Sequence, residues 1–186
     1  MIKDSYFDNF PHLESERLLF RKFKIEDAVE IQAIRSDELV MKFMDSNRHS
    51  TVQDSEKFVA RNMEAYRNRE GLFWAIIDKA SGEFAGDFSF WRFDRANCRG
   101  EIGYSLKPQF WGKGYMAETM RVILDFGFQK LNLHSVEANV NPENENSKSA
   151  LIKIGFKKEA YFRENYYYKE KFLDSEIYCL LENDLK

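Results

Sequence analysis

The sequence predicts an α+β fold built on one mixed central β-sheet flanked by helices. Three observations carry that expectation: strand-like alternation and helix-like periodicity mix along the whole length, the middle of the chain reads as an antiparallel meander, and the elements fall in the order βαα, βββ, α, β, α, ββ. At 186 residues the chain has about the length of one domain and can bury a sizeable core. No internal repeat, low-complexity tract or Pro/Gly/Ser-rich linker divides it, so residues 1–186 are expected to form a single domain.

The first strand is expected over Arg17–Phe23, and Ala28, Ile31, Ala33 and Ile34 then suggest a helix running to about Arg35. A second helix follows: Ser50 with Gln53, or Thr51 with Asp54, has capping-box spacing, and Val59, Met63 and Tyr66 share one helical face. Leu72–Asp78 and Glu83–Trp91 are rich in aromatic and β-preferring residues, and Ser81-Gly82 between them signals a hairpin turn. Arg99–Leu106 continues as a third strand, with Ile102, Tyr104 and Leu106 on one face and Glu101, Gly103 and Ser105 on the other. Met116, Met120, Ile123, Leu124, Gly127 and Leu131 mark the buried stripe of the clearest helix. Val136, Ala138 and Val140 alternate as a strand, a short helix covers about Ser147–Ile154, and Gly155 suits a left-handed helix end before a strand from Phe156. Phe172–Leu181, preceded by Tyr166–Lys171, reads as the last hairpin.

Apolar residues make up 44% of the chain, with 17 Phe, 9 Tyr and 3 Trp, too many core-forming side chains for a disordered protein. Lys and Arg number 28 against 31 Asp and Glu, a net charge of −3. That balance gives no long-range attraction to nucleic acid or an anionic membrane and admits a cationic or amine partner. The longest unbroken apolar run, Leu72–Ile77, is far below the ~20 residues that span a bilayer, and Met1–Phe10 lacks the apolar centre of a signal peptide. A cytoplasmic location is expected. Cys98 and Cys179 are isolated, and neither they nor the histidines show metal-ligand spacing.

The segment Leu106-Lys107-Pro108-Gln109-Phe110-Trp111-Gly112-Lys113-Gly114-Tyr115-Met116 joins a strand to the start of the strongest helix. Gly112 and Gly114 let backbone N–H groups turn towards a common point, and the helix N-terminus adds unpaired donors and partial positive charge. The segment reads as a phosphate cradle or as a tight strand-to-helix turn. It is neither a mononucleotide P-loop nor a dinucleotide-binding turn, because no third glycine follows in Tyr115-Met116-Ala117.

Gln109-x-x-Gly112-x-Gly114 between strand and helix, followed by Asn144-x-x-Ser147 and Gly155-Phe156, resembles the GNAT acyltransferase superfamily. The similarity runs from Leu13-Glu14-Ser15-Glu16-Arg17-Leu18 to the terminal hairpin. Glu101-Ile102-Gly103-Tyr104 and Trp111-Gly112-Lys113-Gly114-Tyr115 resemble in particular its ribosomal-protein N-acetyltransferase branch. The resemblance implies a sheet splayed between two central parallel strands to hold acetyl-CoA, and no metal. It places Leu106, Gln109, Trp111, Gly112, Lys113, Gly114, Tyr115, Met116 and Asn144 on the cofactor, with the carbonyl polarised by a backbone N–H near Leu106.

Acetyl transfer to an amine needs a deprotonated nucleophile, a polarised carbonyl and a way for the thiolate to leave. Glu101 on the central strand is the candidate proton acceptor, or else the partner in a sheet ion pair. Many members of the superfamily carry a tyrosine acid on the helix before Gly155-Phe156, but Leu151 stands at that position. Ser147 is the replacement candidate, with a helix cap as its other reading; Asn144 divides the same way between the pantetheine amides and a cap. Lys148 reads as a phosphate contact or a solvated lysine. Tyr161, Phe162, Tyr166, Tyr167 and Tyr168 read first as core or homodimer contacts and second as a substrate wall. His12, His49 and His134 show no triad pattern.

The expected activity is direct acetyl transfer from acetyl-CoA to a primary amine. A protein N-terminal amino group leads by resemblance, and a small amine (polyamine, amino acid or antibiotic) is the alternative. A catalytically silent acyl-CoA sensor is a third reading, opposed by the presence of both Glu101 and Ser147.

Overall fold

In chain order, the computed structural model, which describes residues 1–186, has helix α1 (Ser5–Asp8), strands β1 (Leu13–Glu14) and β2 (Leu18–Lys22), and helices α2 (Ala28–Ser36), α3 (Glu38–Met41) and α4 (Val52–Arg67). Strands β3 (Leu72–Asp78), β4 (Phe84–Asp94) and β5 (Arg99–Leu106) follow, then helix α5 (Tyr115–Gln129), strand β6 (Ser135–Val140), helix α6 (Glu145–Ile154) and strands β7 (Lys157–Tyr168) and β8 (Lys171–Leu181). The fold is α+β with a mixed sheet, as the patterning predicts. No helix is long and apolar enough to cross a membrane.

All eight strands belong to one sheet in the order β1-β2-β3-β4-β5-β6-β8-β7. Neighbours pair antiparallel except β5 and β6, which run parallel and pair only at Arg99 with Ser135, Gly100 with Val136 and Glu101 with Glu137. Beyond Glu101 the two strands part. Ile102–Leu106 keep β4 on one side, and Ala138–Val140 keep β8 on the other. Lys107 N–H donates to Ala85 O at 2.9 Å. Donors alternate sides along an extended strand, so the N–H groups of Leu106 and Tyr104 point into the gap.

Helices cover both faces. On one, Met120, Ile123 and Leu124 of α5 and Leu151 and Ile154 of α6 are fully buried with Phe88 and Phe90 of β4; burying each such side chain stabilises the fold by roughly 1.5–3 kcal/mol. On the other, Ile31, Ile34 and Val59 of α2 and α4 close over Phe73, Ala75 and Phe84. Helix α4 opens with the Thr51/Asp54 capping box; Ser50 N–H donates to Asp54 and does not form a box of its own.

Three local features differ from the sequence reading. Helix α6 starts at Glu145, because Asn144 is its cap and Ser147 lies inside its first turn. Strand β7 runs continuously from Lys157 to Tyr168, and the last hairpin turns at Lys169 and Glu170, both at positive φ (47° and 63°), as a two-residue hairpin turn requires. Helices α1 and α3 and strand β1, at two to four residues each, are too short to show a period.

Candidate active site

The cradle comes first from what holds it. Gly112 and Gly114 sit at φ 71° and 80°, the left-handed region that favours glycine. Around them the side chains turn away: Trp111 Nε1–H donates to Leu106 O at 2.8 Å, and Tyr115 O–H donates to Asp78 at 2.7 Å. Arg17 Nε donates to Glu118 at 2.7 Å, its Nη1 donates to Lys113 O at 3.0 Å, and its guanidinium lies over the Tyr115 ring at 4.5 Å. Hydrogen bonds from Tyr115 and then Ser81 hold the Asp78 carboxyl below the usual range.

What this scaffold leaves over is a row of donors. The first backbone N–H of the segment to find an intramolecular acceptor after Trp111 is that of Glu118, which donates to Gly114 O; every N–H from Gly112 to Ala117 is free. A Cβ built on Gly112 meets nothing within 4 Å. Unpaired donors at the start of a fifteen-residue helix, facing open space, fit the pyrophosphate of a CoA-type nucleotide. Gln109, Gly112, Lys113 and Gly114 are exposed, Trp111 is 40% exposed, and Tyr115 and Met116 are half-buried. Leu106 is buried at the strand end with its N–H towards the gap.

Glu101 stands where β5 and β6 part and is only 8% exposed. Arg92 Nη2 approaches its Oε2 at 2.6 Å as a charge contact, yet that oxygen is buried without an aligned hydrogen-bond donor. Burial raises the Glu101 pKa; Arg92 opposes the rise and Glu137 adds to it. The ion-pair reading therefore holds, and it leaves the carboxylate with unused acceptor capacity and enhanced basicity.

Ser147 is not a helix cap. Asn144 fills that place, its Oδ1 accepting from Ser147 N–H at 3.1 Å. The Ser147 hydroxyl instead meets Tyr104 O–H at 2.7 Å across the opposite face of β5. Leu151 is fully buried in the core. Lys148 is bound to Pro142 O and Glu145, each at 2.6 Å, and so is committed within the chain.

Register explains a polar strip that the sequence alone does not reveal. Glu101, Gly103 and Ser105 face Arg92, Ser89 and Asp87 of β4 in turn, so their side chains share one sheet face. Ser105 O–H donates to Asp87, whose pKa is raised by burial and pulled back by Ser105 and Arg35. Arg35 of α2 donates to Ser46 (2.6 Å) and to His49 Nε2 (3.1 Å). Since Nε2 accepts, His49 carries its proton on Nδ1 and donates to Ser55 at 2.7 Å. No local spacing signals this network, because its members come from four separate elements.

The aromatic cluster of the last hairpin is not core: Tyr161 is 46% exposed, Phe162 48% and Tyr167 62%. Tyr166 and Tyr168 are half-buried; burial and Asp45 raise the Tyr166 pKa, while Asn141 just past β6 lowers it. A surface depression of about 500 Å³ beside Leu13 and Phe126 and another of about 450 Å³ beside Asp27 and Glu30 touch neither Glu101, Ser147 nor the glycine loop.

Residues 17–157 match the Acetyltransferase (GNAT) domain. The chain is 34% identical over 176 residues to the uncharacterized N-acetyltransferase p20 of Bacillus licheniformis, which spans 92% of this chain and 97% of that relative. A GNAT-family acetyltransferase from Bacillus anthracis superposes with a TM-score of 0.83 at 29% identity, covering 93% of this chain and 99% of that one. Ribosomal-protein-S5-alanine acetyltransferase from Vibrio fischeri superposes at 0.81 with 25% identity, covering 95% and 99%.

Proposed function

This chain belongs to the GNAT acetyltransferase family and is an acetyl-CoA-dependent N-acetyltransferase, and from that premise we propose that it acetylates the N-terminal α-amino group of a protein. In this reading Glu101 accepts the amine proton, directly or through water, and Ser147 faces the departing sulfur. Acetyl-CoA supplies an activated acyl group on a thiol of pKa about 8.5, a tolerable leaving group. The chain's own groups do the rest. The N–H row from Gly112 to Ala117 holds the pyrophosphate, flanked by Gln109 and Trp111. The N–H groups of Tyr104 and Leu106 bond the acyl arm in the gap and polarise its carbonyl. Asn144, with its carbonyl given to the helix, keeps its amide N–H groups for the pantetheine.

The observation that carries the chemistry is Glu101: a buried carboxylate at the point where the strands part, held by Arg92 alone and with its pKa raised by burial. The acceptor class is supported by the likeness to ribosomal-protein-S5-alanine acetyltransferase across nearly the whole chain.

Glu101→Gln should lower turnover by ~10²- to 10⁴-fold, the range of lost general-base catalysis, with acetyl-CoA affinity kept. An α-amino group titrates at about 7.7–8.0, so the deficit should shrink as pH rises past that value and free amine accumulates. A loss equal at every pH would point to structural damage. In a CoA-release assay with a panel of acceptors, release with a polyamine but not with peptide N-termini overturns the acceptor assignment. No release across the panel leaves the acyl-CoA sensor.

A further inference from the structure

We infer that Tyr104 is a positioning residue for acetyl transfer: its phenol donates to Ser147 Oγ and thereby aims the serine's own hydrogen at the sulfur of the departing CoA. This rests on the reading of Ser147 given above and adds a residue to it.

The direction of the hydrogen bond follows from the absence of any other acceptor. Ser147 Oγ, at 2.7 Å, is the one protein atom bonded to the Tyr104 hydroxyl. If the serine donated, its hydrogen would be spent on the phenol and the phenolic proton would have no acceptor within the chain. If the phenol donates, Ser147 Oγ is satisfied as an acceptor and its hydrogen is free, because Ser147 Oγ has no second partner in the chain. Burial pushes the Tyr104 pKa up to about 12, so the phenol stays a donor throughout the working range.

Both ends of the pair are fixed. The Tyr104 ring stacks on Phe88 with centroids 6.0 Å apart and planes 9° apart. Ser147 is held in the first turn of α6 by the Asn144 cap. The phenol thus reaches Ser147 from β5, across the sheet face that α6 covers. On the leaving-group side no proton changes owner: the C–S bond breaks with its electron pair staying on sulfur, and the thiolate leaves hydrogen-bonded to Ser147. The new C–N bond forms as the amine proton passes to Glu101 or its water.

The test compares CoA with desulpho-CoA, which lacks the thiol, by calorimetry near pH 8.5, where about half of a thiol of ordinary pKa is ionised. The wild-type chain should bind CoA about 2- to 10-fold more tightly, the worth of one hydrogen bond. Tyr104→Phe and Ser147→Ala should each bring that ratio close to one while leaving desulpho-CoA affinity unchanged, and the double variant should lose nothing more. If Ser147→Ala keeps the preference, the Ser147 assignment fails and this inference fails with it. If Ser147→Ala loses the preference and Tyr104→Phe keeps it, Tyr104 alone is overturned. Losses that add in the double variant would also overturn it, because two separate contacts add and a relay does not.

Discussion

Helices α5 and α6 both begin beside the gap between β5 and β6, and they begin differently. Helix α6 is capped by a side chain: Asn144 Oδ1 takes the Ser147 N–H, and Lys148 N–H bonds to the Asn144 carbonyl. Helix α5 follows Gly114 at φ 80° with no side-chain cap, and its N–H groups through Ala117 are unspent. The same backbone dipole is present at both ends. The residue before the helix decides whether its donors are consumed by the fold or kept for an anion.

The largest expected effect breaks the open end. Placing valine at both Gly112 and Gly114 forces two side-chain-bearing residues into the left-handed region at about 1–2 kcal/mol each, so acetyl-CoA affinity should fall on the order of 10²-fold. A Cβ at Gly112 meets nothing and one at Gly114 meets only Arg17 Nη2 at 3.5 Å, so the fold should survive. Unchanged affinity by calorimetry would sink the cradle. A middle effect is expected at the closed end: Asn144→Ala should cost about 1 kcal/mol of stability and lower acetyl-CoA affinity a few-fold. A shifted melting temperature with wild-type affinity would reduce Asn144 to a cap.

The smallest effect on affinity, none, is expected at Thr51, which caps α4 away from the gap. Thr51→Ala should cost about 1 kcal/mol of stability by chemical denaturation, and any change in acetyl-CoA binding would contradict the contrast drawn between helix starts. Thr51 hydrogen bonds hold the Asp54 carboxyl below its ordinary value. That contribution is present above the unfolded pKa and is lost as pH falls through the lower folded pKa. The variant should therefore show a flatter loss of stability on the acid side.

Features that a short stretch of backbone demands were legible in the sequence. Strand β5 reads with its true ends because alternation runs unbroken from Arg99 to Leu106, and the Thr51/Asp54 box lies within four residues. The glycine loop was legible for the same reason. The polar strip was not: Asp87, Ser105 and Arg35 come together only once two strands are in register and a helix covers them. Tyr104 alternates with Ile102 and Leu106 and so reads as core; only the folded chain brings Ser147, 43 residues on, to its hydroxyl. The core reading of the hairpin aromatics fails because β7 lies at the outer edge of the sheet, where Tyr161, Phe162 and Tyr167 stay in contact with solvent.

The brevity of the β5–β6 pairing has a mechanical consequence. Antiparallel ladders stitch β1 through β5 into one plate and β6 through β8 into another, and three residue pairs from Arg99 to Glu101 join the plates. Those pairs lie at one end of β5, so a rotation about that end is the relative motion that the pairing itself would least oppose. A small angle there becomes a larger change in width at Leu106, about five residues or ~16 Å further along the strand. Glu101 sits on the pivot and is displaced least, while the glycine loop sits at the far end of the lever. Such a rotation would change the width of the gap beside the glycine loop and leave the carboxylate in place.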